Sequence, residues 1–103
     1  MATSKIKSQG WKFIGSSIGG DNLNYTDLAS QGFTEVFVKD SSFGGCTAPV
    51  AALPTKLVWG GYYGGVNGLL HGVDVSTTSM YGIYGRTDSS DYLGNQTFYL
   101  YAR

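Results

Sequence analysis

The chain has 103 residues, and its seven Lys and Arg are balanced by seven Asp and Glu, so its formal net charge is zero. That length supports one hydrophobic core and excludes a second. A neutral chain with no long apolar run carries no field toward nucleic acid or an anionic surface and no segment able to span a bilayer, which sets aside nucleic-acid binding and membrane insertion.

Residues 1–9 are polar apart from Met1, Ala2 and Ile6, and read as a flexible tail before a single domain over residues 10–103. Within that domain, β-branched and aromatic residues recur in short runs bounded by Gly, Asn, Asp and Ser, the pattern of strands joined by tight turns. The first strand is expected over Trp11–Ser16. A single helical turn over Tyr25–Gln31 follows, with Thr26 as its cap and Gly32 closing it. The second strand, Phe33–Lys39, holds Val36, Phe37 and Val38 side by side, and such continuous apolarity suits a central position. Val50–Leu53 reads as an edge or irregular strand, because Pro54 cannot donate to a ladder.

Lys56–Gly60, Tyr62–Tyr63, Leu69–Val75 and Met80–Tyr84 continue the series, and Thr97–Ala102 completes it. In that final run Phe98, Leu100 and Ala102 share one face, while Thr97, Tyr99, Tyr101 and Arg103 share the other, because successive strand side chains alternate. The first face is core and the second is aromatic and wet. Seven to eight short strands with Gly-rich turns predict an all-β fold, an antiparallel β-sandwich of jelly-roll type. Sixteen glycines and an aromatic content of 15% with no net charge favour assembly over a dilute monomer.

Four segments carry a resemblance. Gly10-Trp11-Lys12-Phe13-Ile14-Gly15, then Phe33-Thr34-Glu35-Val36-Phe37-Val38, then Gly60-Gly61-Tyr62-Tyr63, and finally Thr97-Phe98-Tyr99-Leu100-Tyr101-Ala102-Arg103 make residues 10–103 similar to the small C-terminal head domains of phage tail fibres and related virion-surface proteins. The resemblance implies a homotrimeric module in the virion, made in the bacterial cytoplasm. It also implies contact with other virion proteins and binding to a bacterial cell-surface glycan, without a cofactor or catalysis. A purely structural particle subunit, with its aromatics buried between protomers, is the alternative.

Two segments are candidate binding regions on residue chemistry. In residues 59–68, Trp59, Tyr62 and Tyr63 lie among glycines that leave ring faces open to a flat ligand, and Asn67 offers both donor and acceptor. The same residues equally suit a core Trp59 with a glycine-lined turn. In residues 84–95, Asp88 and Asp91 are acceptors for sugar hydroxyls, Arg86 is a donor to an acidic sugar, and Tyr92 is a stacking surface. Asp and Ser closing turns on their own backbone is the competing reading.

Catalytic readings are weaker. A thin core and a single Glu argue against the cleft that Asp88 and Asp91 would need as a glycosidase pair, Cys46 follows Gly44 and Gly45 with no helix N-terminus to lower its pKa for a Cys46–His71 nucleophile, and one Cys excludes a thiolate metal cluster within the chain. No metal site and no catalytic residue is expected.

Overall fold

The computed structural model describes residues 10–41, 44–60, 70–83 and 97–103. Among the described residues there are eight strands: β1 (Lys12–Ile18), β2 (Asn22–Asn24), β3 (Glu35–Asp40), β4 (Gly45–Pro49), β5 (Lys56–Gly60), β6 (Leu70–Val75), β7 (Ser79–Gly82) and β8 (Thr97–Ala102). They form two antiparallel sheets of four, in the orders β1-β8-β3-β4 and β2-β7-β6-β5. The fold is an all-β sandwich, as the alternating patterns predict. It is jelly-roll-like in that β1 pairs with β8 and β2 with β7, as nested pairs do. The inner strands instead pair as the neighbours β3·β4, β5·β6 and β6·β7.

The core lies between the sheets. Val36 and Val38 from β3, Phe98, Leu100 and Ala102 from β8, and Ala48 from β4 meet Leu57 and Trp59 from β5, Val73 from β6 and Met80 from β7. On β3 and β8 the alternate residues are buried and the intervening ones half-exposed, so the period of two in the sequence is the packing period. β3 lies between β8 and β4, the interior position its apolar run predicts.

The segment between β2 and β3 seals one end of the core. Asp27, rather than Thr26, caps the turn: its Oδ1 accepts from the N–H groups of Ala29 at 2.9 Å and Ser30 at 3.2 Å. Asp fits because its carboxylate reaches the second and third amides of a helical turn, which otherwise have no partner. Gly32, at φ +85°, ends the turn. Its N–H donates to the Ala29 carbonyl and that of Phe33 to the Leu28 carbonyl, a Schellman closure. This places Leu28 in the core with no exposed surface and Phe33 against it.

Three local expectations are corrected. Val50–Ala52 is one 3-10 turn and not a strand, because Pro49 and Pro54 flank a short alanine-rich segment that has no ladder to join. Asn22–Asn24 and Gly45–Pro49 are strands that the pattern did not announce. The first supplies only Leu23 to the interior. The second has small side chains and is held by its five-residue register with β3. Residues 1–9, the expected Tyr62–Tyr63 strand and Tyr84 lie outside the described residues.

One close approach requires glycine. Where the chain leaves β1 for β2, Gly19 forms a parallel bridge with Gly82, and a Cβ at Gly82 would stand 2.8 Å from the Gly19 Cα and 2.9 Å from the Ile18 carbonyl oxygen. No side chain fits between two backbones at that distance.

Candidate functional site

The described residues gather their unusual side chains on the outer face of the β1-β8-β3-β4 sheet. Register arranges them in rows across the strands. Phe37 on β3 lies opposite Tyr101 on β8, and Tyr101 opposite Phe13 on β1. On one side of this row Lys39 faces Tyr99 and Tyr99 faces Ser16. On the other side Glu35, Arg103 and Trp11 come together.

A bulge decides the membership of β1. Its register shifts between Phe13 and Gly15; Phe13 consequently points outward beside Tyr101, whereas Gly15 and Ser17 pair with the inward-facing Leu100 and Phe98. Phe13 is 53% exposed, the highest among the exposed large hydrophobic residues. Its ring meets Tyr101 edge-on with centroids 5.4 Å apart, Tyr101 and Phe37 lie 6.1 Å apart, and Phe37 and Trp11 5.6 Å apart. Edge-on and tilted contacts match the quadrupoles of neighbouring rings.

Cations stand over the rings at both ends of this patch. The Arg103 guanidinium lies 4.3 Å above the Trp11 ring, and its Nε donates to Glu35 Oε1 at 2.9 Å. Lys39 Nζ lies 4.9 Å from the Tyr99 ring centre and donates to the Asp40 carbonyl oxygen at 2.8 Å. The face therefore has an aromatic middle and a cation-on-ring pair at either side.

Trp59 belongs to the core instead. It is 5% exposed, and its indole Nε1 donates to the Asp40 carboxylate at 2.7 Å, so the ring offers no open face to a ligand. The reading of this residue as a binding platform gives way to the core reading. Asp40, 1% exposed, is a polar group inside the sandwich; its carboxylate also accepts from the Gly44 N–H at 3.3 Å. The Trp59–Asp40 hydrogen bond joins the end of β3 in one sheet to β5 in the other. Tyr62, Tyr63, Asn67, Arg86, Asp88, Asp91 and Tyr92 lie outside the described residues.

Of the outward-facing aromatics, Tyr99 and Tyr101 are marked by the alternation of β8. Trp11, Phe13 and Phe37 are not, because their facing depends on pairing and on the bulge. Cys46 is half-buried on β4, and burial pushes its thiol above the ordinary range, which lowers its nucleophilicity at neutral pH. Its strand and that of His71 belong to different sheets. Among the described residues no three of His, Cys, Asp and Glu converge to hold a metal ion, and no helix is long and apolar enough to cross a membrane. Comparison with family models, curated proteins and solved structures finds no match to this chain.

Proposed function

We propose that the chain is a non-catalytic recognition module of a phage virion, a tail-fibre head that acts as a homotrimer and binds carbohydrate on a bacterial surface. The observation that carries this reading is the set of five aromatic rings on the solvent side of a sheet whose other side already fills the core. Burial does not require these rings, and exposed clusters of Trp, Tyr and Phe mark surfaces that bind. Neutral polysaccharide faces and aromatic rings are complementary, and polar groups at the patch margin supply the hydrogen bonds that fix orientation. The virion setting rests on the sequence resemblance.

A second reading is a structural particle subunit whose aromatic face is covered by a neighbouring protomer. It is favoured by the aromatic cluster and by Arg103 over Trp11, since aromatic residues and Arg are enriched in protein interfaces.

Light scattering on the purified chain, with binding to Gram-negative and Gram-positive cells followed on the same sample, separates the two. The recognition reading expects a trimer that labels some cells. A monomer at micromolar concentration that labels none removes it. A stable oligomer that ignores cells, with Phe13 protected from surface oxidation, supports the structural subunit.

A further inference from the structure

We infer that the outer face of the β1-β8-β3-β4 sheet binds an acidic polysaccharide laid across the strands, its sugar rings over Phe37, Tyr101 and Phe13 and its carboxylates reaching the cations at the margins. The inference rests on the recognition reading above and names both the place and the ligand class.

Four strands of five to seven residues span about 19 Å by about 20 Å at ~4.8 Å per strand and ~3.3 Å per residue, a platform long enough for a few sugar rings in line.

Charge selects among glycans. Glu35 is the acid of this face among the described residues, and Arg103 is already paired with it. Among the described residues Lys39 has no acid beside it: its contacts are the Tyr99 ring and a carbonyl oxygen. An anion stabilises this ammonium. The two cations flank the aromatic row from opposite sides, four residues apart along β8 in register, or about 13 Å at ~3.3 Å per residue. A polymer whose acidic groups alternate from one side of its axis to the other meets both, while its apolar ring faces rest on the row between them.

The test uses the full chain with polygalacturonate and, as its uncharged counterpart, the same polymer after reduction of its carboxyl groups. Binding is measured by calorimetry for the wild type, Phe13→Ser, Lys39→Gln and, on the opposite sheet, Lys56→Gln, with circular dichroism confirming that each variant folds. Phe13 and Lys56 are exposed and Lys39 is half-exposed, so all three substitutions spare the core. Polygalacturonate is expected to bind about two- to fivefold more tightly than the reduced polymer, in proportion to an exposed ion pair, and more weakly as salt rises. Phe13→Ser is expected to weaken both polymers, Lys39→Gln to abolish the preference for the acidic one, and Lys56→Gln to change nothing. Equal binding of the two polymers, no binding to either, unchanged binding by Phe13→Ser and Lys39→Gln, or tighter binding of single-stranded oligo(dT) overturns the inference. If the wild type and Phe13→Ser label cells equally, the sheet face is excluded while the recognition function stands. If the acidic polymer binds as expected and no cell is labelled, the face is retained and the virion-receptor reading falls.

Discussion

Replacing Trp59 by Phe removes one hydrogen bond and part of one ring from the middle of the sandwich. The lost bond is a 2.7 Å N–H donation to the buried Asp40 carboxylate, and hydrogen bonds to charged groups contribute about 1.5–3 kcal/mol. The smaller ring also gives up roughly 50 Å² of buried apolar surface, about 1 kcal/mol at ~25 cal/mol per Å², and leaves a void that adds a similar amount. The expected loss is about 3.5–5 kcal/mol, out of a total of about 5–15 kcal/mol for a chain of this length. At roughly 4–8 °C per kcal/mol for a small domain, the melting temperature should fall by about 15–40 °C. Urea unfolding, followed by far-ultraviolet circular dichroism, reads the change directly. Asp40→Asn and the double variant complete a cycle whose coupling term should be about 1.5–3 kcal/mol, because the cycle isolates the pair from the other contacts of either residue. A Trp59→Phe loss below 1 kcal/mol, or a coupling near zero, would refute the view that this pair ties the two sheets together.

Other outcomes follow from neighbouring features. Burial raises the Tyr25 phenol far above its ordinary value, so the unfolded chain loses this proton first, near pH 10, and stability should decline as pH rises beyond that point. Tyr25→Phe should flatten that decline relative to the wild type, and it should cost about 1 kcal/mol at pH 7 through loss of the 2.9 Å bond to the Ser76 carbonyl. An unchanged alkaline slope in denaturant titrations would contradict the burial of this phenol. Cys46, with its thiol shifted upward by burial, should react with iodoacetamide more slowly than free cysteine at pH 8 and accelerate in urea; equal rates would place it at the surface. Gly82→Ala should destabilise by about 1–3 kcal/mol or more through overpacking against the Gly19 and Ile18 backbone, measured by thermal melting, whereas Gly32→Ala should act through the strain of its positive φ.

Legibility in the sequence followed how much of each element was specified locally. β5 and β8 have the bounds that their composition predicts, and in β8 the alternation also separates core from surface. β3 begins two residues later than expected, because Phe33 closes the helical turn and does not enter the ladder. β2 and β4 are imposed by partners: Asn-Leu-Asn and Gly-Cys-Thr-Ala-Pro are poor strand formers, and their backbones are extended because β7 and β3 offer hydrogen bonds. The candidate site shows the same limit. Tyr99 and Tyr101 could be placed on one face from a single strand, but Phe13 and Phe37 join them only through register, and no local pattern announces the bulge that turns Phe13 outward. For Trp59 the sequence left a core and a platform reading side by side, because a Gly-rich segment follows it; in space it packs in the core and donates to Asp40 on β3.

The position of β8 governs when this chain can fold. It lies between β1 and β3, and its pairing with β1 joins residues as distant as Lys12 and Ala102. During synthesis the β5-β6-β7 meander can assemble from neighbouring segments as it emerges, but β1 and β3 have no common partner until residues 97–102 are available. Until then the inner faces of Val36 and Val38 and the edge of β1 are exposed to other nascent chains. Folding is therefore delayed to the end of this segment's translation, with the slow closure characteristic of distant strand pairing, and loss of β8 should leave an aggregating chain instead of a smaller sandwich.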